Sequence, residues 1–357
     1  MPSLTFIVPG RLDTLTGGYG YDRRIIEGLR GRGWAVDVRE IDASFPHPTP
    51  HALDEAARTL ASVPDDARVM IDGLAFGAMP LALEREGLRL RLVALVHHPL
   101  AAESGLDPTT AARLEAGERR ALMTAQSVVV TSRATAAALL AYGVAPDRIH
   151  VVEPGTDRAP LARGSGTAIV HLLCVATLVP RKGHEALFRA LAALDQRNWR
   201  LTCIGSLQRD PATVERLRAL LGTELLEHHV TLAGEMDGPA LDAQYDGADL
   251  FVLPTLHEGY GMVVAEALAR GLPVISTATG AIEELLTFDG APHQVRRAGL
   301  VVPPGNVAAL ASALAAVIRD ADLRARLAKG ARAARDHLPT WEGASASMAE
   351  VIERVQR

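Results

Sequence analysis

The sequence predicts an α/β protein made of two doubly wound domains, and three observations carry that prediction. Short apolar runs of strand type alternate with stretches of helical spacing, the alternation restarts in the second half, and a segment rich in Gly, Pro and small polar residues separates the halves. The 357 residues also exceed one ordinary domain of ~100–200 residues.

In chain order, the first strand-like runs are Leu4 to Val8, Ala35 to Val38, Arg68 to Ile71, Leu90 to Val96, Ser127 to Thr131 and Ile149 to Val152. Stretches such as YDRRIIEGLRGRG and PTTAARLEAGERRALMTA lie between them with helical spacing. Strands alternating with helices imply a parallel sheet covered on both faces. The second series is Val170 to Ala176, Leu201 to Ile204, Val230 to Leu232, Leu250 to Leu253, Pro273 to Ser276 and Gly299 to Val302. Between the series, EPGTDRAPLARGSGTA has the composition of a hinge, which places the domain boundary near residue 160.

Composition narrows the function. With 37 basic and 42 acidic residues, the chain carries a formal charge of −5, so neither nucleic acid nor an anionic membrane is expected as its main partner. Cys174 and Cys203 each lie inside an apolar strand-like run and read as two reduced core cysteines. MPSLTFIVPGR has no basic leader and reads as a first strand, and no run reaches the ~18–20 apolar residues of a spanning helix, so a cytoplasmic location is expected. The stretch ALEREGLRLR is basic and amphipathic enough for peripheral membrane contact, against the plainer reading of a solvated helix face.

Ligands of open parallel sheets collect beyond the carboxyl ends of the strands, so the loops there are the informative ones. After FVLP, the stretch TLHEGYG turns, and Met262, Val263, Ala265, Leu268 and Ala269 follow with helical spacing. The first N–H groups of that helix, Met262 to Val264 behind Gly261, form a site for phosphate. Carboxylates repel phosphate but suit neutral hydroxyls, so Glu266 is placed for a ribose diol and Glu258 for a sugar ring; the plain readings are a solvated helix residue and an acid favouring the helix dipole. In VATLVPRKGH, Lys182 beside Gly183 is placed to neutralise a leaving diphosphate, though PRKG could equally be a surface turn. In the first half, Gly17 and Gly18 precede a helix expected near Tyr21. His97 ends another strand, where it could bond a substrate hydroxyl; no further ligands at metal-binding spacing accompany it, so no metal site is assigned. His228 and His229 read as an exposed helix end.

On these stretches the chain resembles the retaining glycosyltransferases of the GT4 family, whose GT-B fold sets two Rossmann-like domains facing each other across a cleft. The resemblance rests on Glu258-Gly259-Tyr260-Gly261 with Glu266 eight positions after Glu258, on EALARGLPVISTATGAIEEL and GLVVPPGN, and on Pro180-Arg181-Lys182-Gly183. PGTD at 154–157 and the Gly17-Gly18 loop support it, and it covers nearly the whole chain. It implies an acceptor-binding domain over 1–160, a nucleotide-sugar-binding domain over 161–340, and a final helix over 341–357 crossing back to the first, with closure about the 154–168 segment. It implies that Glu266 binds the nucleotide ribose and Glu258 the transferred sugar. Lys182 and the N–H groups of Met262 to Val264 would hold the diphosphate, with Gly18 admitting it close to the backbone. Met236 would border the base, and His97 would lie near the sugar and acceptor. One departure is plain: Ala176-Thr177 stands where many relatives have Gly-Arg, whose Arg also binds diphosphate.

The implied reaction is attack by an acceptor hydroxyl, of a glycan, small molecule or lipid, on a nucleotide-diphospho-sugar, with retention by a front-face route and with neither metal nor cofactor. No aspartate pair follows a strand in the manner of metal-dependent sugar transferases. An epimerase or hydrolase of nucleotide-sugars and a non-catalytic sugar binder remain as alternatives. Acceptor, nucleotide, linkage and oligomeric state are not encoded in any motif.

Overall fold

The computed structural model describes residues 1–103, 105–289 and 295–355, so the end of the expected final segment, 356–357, lies outside the described residues. The chain forms two compact units, Met1–Gly155 with Pro339–Arg357, and Thr156–Leu338.

In the first unit the strands are β1 (Ser3–Pro9), β2 (Ala35–Ile41), β3 (Arg68–Asp72), β4 (Arg91–Val96), β5 (Ser127–Val130) and β6 (Ile149–Val151). The helices between them are α1 (Gly17–Gly31), α2 (Pro50–Ala61), α3 (Gly73–Phe76), α4 (Pro80–Glu86), α5 (Pro108–Leu122) and α6 (Arg133–Ala141). All strand pairs are parallel, in the order β2-β1-β3-β4-β5-β6. Residues of β1 from Leu4 onward are buried whichever face they point to, as expected of a sheet covered on both sides. The edge strand β2 instead mixes exposed, half-buried and buried positions and runs three residues past the Val38 expected from its apolar pattern, through the polar Arg39 and Glu40 to the buried Ile41.

The second unit contains β7 (Val170–Val175), α7 (His184–Ala192), β8 (Trp199–Ile204), α8 (Pro211–Thr223), β9 (Val230–Gly234), α9 (Gly238–Asp246), β10 (Leu250–Leu253) and α10 (Met262–Ala269). There follow β11 (Val274–Thr277), α11 (Ile282–Leu286), the antiparallel pair β12 (Thr287–Asp289) and β13 (Val295–Arg297), β14 (Gly299–Val302), α12 (Val307–Arg319) and α13 (Ala321–Ala334). Its parallel sheet has the order β14-β11-β10-β7-β8-β9, the doubly wound dinucleotide-binding arrangement. Cys174 and Cys203 are register partners on β7 and β8, both buried as free thiols.

The chain divides between Gly155 and Thr156, inside the hinge-like segment, and the later part of that segment is bonded along the second unit: Ala162 N–H donates to the Arg270 carbonyl at 2.8 Å, Gly164 N–H to that of Asp246 at 2.9 Å, and Ser165 N–H to the Asp249 carboxylate at 3.0 Å. Two expectations need correction. The basic stretch near 82–91 is not one helix, since α4 ends at Glu86 and the Arg89 guanidinium turns inward to Glu86, Asp65 and the Leu60 carbonyl. His228 and His229 lie in the turn before β9 rather than at a helix end, and the His229 ring packs on Trp199 at a tilt of 44° with centroids 5.0 Å apart. No described helix is long and apolar enough to cross a membrane.

The last helix, α14 (Trp341–Arg354), belongs to the first unit and packs on α1. Gly28 of α1 faces Ser345 there, and a β-carbon on Gly28 would overlap the serine side chain. Helix propensity alone would favour Gly28→Ala by about 1 kcal/mol. Overpacking opposes it, so the variant is expected to lose roughly 1–3 kcal/mol in chemical denaturation, with recovery when Ser345→Gly is added. Unchanged stability of Gly28→Ala would show that the two helices are not held at this contact.

Candidate functional site

In the second unit the strand order reverses between β7 and β10, so the loops that leave these neighbours part to opposite faces. The loop after β7 makes a single tight turn, Pro180–Lys182, passes through Gly183 at φ 72° and enters α7. The loop after β10 runs from Pro254 to Gly261 and enters α10. Backbone contacts lock the two together. Leu256 N–H donates to the Arg181 carbonyl at 2.7 Å, the Arg181 guanidinium donates to the His257 carbonyl at 3.0 Å, and the Thr255 hydroxyl lies 3.1 Å from the Arg181 carbonyl.

Two glycines permit this closeness. A β-carbon on Gly183 would overlap the Pro254 carbonyl, and one on Gly280, in the loop after β11, would overlap the carbonyls of Glu258 and Gly259. The Glu258 loop is therefore clamped from both sides, which gives PRKG a packing role that a solvent-facing turn would lack.

The clamp brings Lys182 Nζ to 2.6 Å from Glu258 Oε2, with each side chain 15% exposed. The two groups assigned from sequence to separate parts of a ligand thus hold each other. Arg181 braces the loop through its bond to His257. Gly261 caps α10 at φ 97°. Of the three N–H groups assigned to phosphate, Val264 N–H is already used, donating to the Gly261 carbonyl at 2.8 Å. Those of Met262 and Val263 precede the first helical bond and have no intrahelical acceptor.

Glu266, one turn further along, is not the solvated residue of the plain reading: its Oε2 accepts from the Tyr245 hydroxyl of α9 at 3.0 Å. Burial pushes its carboxyl above the usual range, and the Tyr245 bond partly opposes that rise. The Arg270 guanidinium lies 4.3 Å from the Tyr245 ring centroid and completes the support. Met236 follows β9 and packs partly on the core; no hydrogen bond or ion pair among the described residues joins it to the Lys182–Glu258 pair.

Behind the Lys182 loop, His184 is buried with Nε2 3.7 Å from Cys174 Sγ, and donor atoms of Cys174, His184 and Cys203 lie within 4.8 Å of one another. A hydrogen bond from Cys203 pulls the Cys174 thiol down while the Cys203 thiol is pushed up.

In the first unit, α1 begins at Gly17 and not near Tyr21, because the Thr16 side chain caps it and the glycines form its first turn. The side of Gly18 where a β-carbon would stand is covered by His97, with Cδ2 3.3 Å away. Thus Gly18 leaves room for the imidazole on that side. His97 Nε2 lies 3.2 Å from Asp22 Oδ1 and 3.4 Å from Asp72 Oδ2, and all three donor atoms fall within 4.8 Å of one another. Two carboxylates thus face one ring nitrogen, a setting that favours the imidazolium.

Burial alone would push the His97 imidazolium down; the charge and hydrogen bond of Asp22, then those of Asp72, outweigh it and lift it to about 10. Burial raises Asp22 to about 6, opposed by His97. Both groups are therefore charged at neutral pH. Sequence reasoning missed Asp22, Asp72 and Tyr245. Asp72 ends a strand and could have been found by the same rule that found His97, whereas Asp22 and Tyr245 lie inside helices and carry no local signal.

Sequence comparison matches residues 166–334 to the family profile "Glycosyl transferases group 1" and residues 23–159 to "Glycosyltransferase Family 4". An MMP alpha-(1->4)-mannosyltransferase from Mycolicibacterium hassiacum is 27% identical over 339 residues, covering 90% of this chain and 79% of that protein. A D-inositol 3-phosphate glycosyltransferase from Pseudarthrobacter chlorophenolicus is 31% identical over 244 residues, covering 64% of this chain and 56% of its own length. Among solved structures, sucrose-phosphate synthase from Thermosynechococcus elongatus superposes with a TM-score of 0.81 at 22% identity, covering 99% of both chains. HepE from Anabaena, in complex with UDP-glucose, superposes at 0.75 with 18% identity over 98% of this chain and 99% of its own. These likenesses identify the GT-B fold.

The Lys182–Glu258 pair yields a stability prediction. A double-mutant cycle with Lys182→Met and Glu258→Gln is expected to give a coupling of about 1–3 kcal/mol in the ligand-free chain. Additive effects would show that the pair is not formed without a ligand.

Proposed function

We propose the following reaction for this chain, which belongs to glycosyltransferase family 4: a hexosyl group moves from a nucleotide-diphospho-sugar to an acceptor hydroxyl with retention of configuration and without a metal. The observation that carries the reading is the Lys182–Glu258 pair, clamped at the strand reversal beside the N-terminus of α10, with Glu266 one turn further on.

The chemistry requires three things of the protein. The diphosphate leaves with growing negative charge, which the N–H groups of Met262 and Val263, fixed in place before reaction, stabilise together with Lys182 once it turns from Glu258. Glu266, oriented by Tyr245, accepts the ribose hydroxyls. Glu258, once Lys182 turns to phosphate, accepts from a hydroxyl of the transferred sugar. The acceptor oxygen bonds to the anomeric carbon as the bond from that carbon to the phosphate oxygen breaks. The acceptor proton passes to the departing phosphate.

That HepE, which has the same fold, is held in solved structures with UDP and with UDP-glucose supports a nucleotide-sugar as the donor.

The test is thermal stabilisation of the full chain by UDP, GDP, ADP and TDP, each with magnesium or with EDTA. One nucleotide is expected to raise the melting temperature equally under both conditions, by an amount equivalent to about 2.7 kcal/mol at a hundredfold excess over Kd. Glu266→Ala is expected to abolish the shift. In Glu258→Ala the shift should be at least as large as in the parent, because Lys182 is released to the phosphate, while transfer falls about 100-fold or more. No shift with any nucleotide would overturn the reading, and a shift that needs magnesium would overturn its metal-independent part.

A further inference from the structure

The ion triplet of the first unit has features that a merely buried histidine would not need. His97 follows β4, Asp72 ends β3, and Asp22 lies one turn into α1 after β1, so three strands that neighbour one another in the sheet deliver these side chains to one point. Both carboxylates approach the same ring nitrogen, Nε2, and Nδ1 takes part in neither contact. Asp22 is fully buried, with Oδ1 on His97 and Oδ2 lacking any partner. Asp72 uses its other oxygen to accept from Leu74 N–H at 2.9 Å, which caps α3 and fixes the carboxylate.

The ring itself is held on its remaining sides. Tyr21 meets it edge-on with centroids 5.4 Å apart, Gly18 lies flat against it, and the Thr131 hydroxyl donates to its carbonyl at 3.3 Å. His97 nevertheless stays 19% exposed, so this oriented ring is open to a ligand. The charged and titratable groups around it are Asp22, Tyr21 and Arg23 of α1, Asp72 of β3, and the adjacent His98. Tyr21 is held neutral, its hydroxyl pushed well up by burial and donating to the Val152 carbonyl at 3.0 Å.

We propose that Asp22 and Asp72 are positioning residues: by sharing the Nε2–H of His97 they keep the ring an imidazolium and fix Nδ1–H as a hydrogen-bond donor to a hydroxyl of the transferred sugar or of the acceptor. This rests on the reading of the chain as a sugar transferase in which His97 meets the substrate. It deepens that reading in a specific direction. A ring that holds both protons donates and does not abstract, so His97 does not serve as the base for the acceptor hydroxyl, and the proton's destination is the leaving phosphate.

The test separates the two layers. The full chain is labelled with 15N-histidine and titrated without substrate; His97 is picked out from the 12 histidines by comparison with His97→Gln. In the parent, both ring nitrogens should carry protons at pH 7 and the ring should titrate near pH 10, whether or not sugar transfer is detected. In Asp22→Asn the midpoint should fall by about 1–3 pH units, and kcat/KM for transfer should acquire a loss on the alkaline side at the same new midpoint. A structural role alone would lower activity at every pH without adding that limb. Asp72→Asn should behave alike, since the asparagine oxygen still accepts from Leu74, and it serves if Asp22→Asn does not fold.

A His97 ring already neutral at pH 7 in the parent would overturn the proposal. So would a pH profile that rises as the ring loses its proton, or transfer that EDTA abolishes and manganese restores together with a shifted His97 signal. A parent ring that titrates as expected in a chain that transfers no sugar would instead sink the transferase reading and leave the triplet intact.

Discussion

Both units depend on one constraint of doubly wound parallel sheets: where the strand order reverses, two neighbouring strands must send their chains to opposite faces, and the backbone at their carboxyl ends is left uncovered. In the second unit the reversal falls between β7 and β10, and Lys182 and Glu258 stand on the two diverging loops. In the first it falls between β1 and β3, and Asp22 and Asp72 stand on the two paths that leave them. The same topology thus produces a charged cluster in each half. Loop closure would otherwise oppose it, and Gly183 and Gly280 remove the steric obstacle in the second unit.

Charges so poorly exposed are tolerable only when partnered, since an unpaired buried ion costs several kcal/mol. Lys182 offsets Glu258, and the His97 imidazolium offsets one of the two aspartate charges, while Asp72 also gains from capping α3. These pairs are weak evidence for stability in themselves, because desolvation consumes most of the Coulomb gain. Their consequence is orientation: a side chain held by an opposite charge and by packed neighbours presents one geometry to whatever enters.

The fold was legible because parallel strands buried on both faces are written as continuous apolar runs, and each expected strand lies within a few residues of an observed one. Departures follow physical causes. The edge strand β2 extends through polar residues, and α1 starts four residues early because Thr16 caps a turn of glycines that propensity disfavours. At the candidate site, Glu258, Glu266, Lys182 and the α10 N-terminus were legible, since each follows a strand or a glycine turn. What stayed hidden was pairing. That Lys182 and Glu258 touch at a sequence separation of 76, that Tyr245 orients Glu266, and that Asp22 reaches His97 are properties of the sheet order, which no single stretch contains.

The pairing also bears on the departure at Thr177. In the free chain the positive charge near the reversal of the second unit is already engaged, Lys182 by Glu258 and Arg181 by the His257 carbonyl. Under the proposed reaction, a diphosphate there meets one shared ammonium and the N–H groups of Met262 and Val263, which lack an intrahelical acceptor and together with the helix dipole act as about half an elementary charge. With no arginine at position 177 to supplement them, Lys182 must change partner for the phosphate to be neutralised. That exchange ends the Lys182 contact of Glu258 at the moment a sugar hydroxyl is beside it. Binding of the phosphate and capture of the sugar then become one coupled step, because neither charge is left alone in either state. A single ion pair, held in reserve by the clamp of two glycines, can in this way substitute for a second cation.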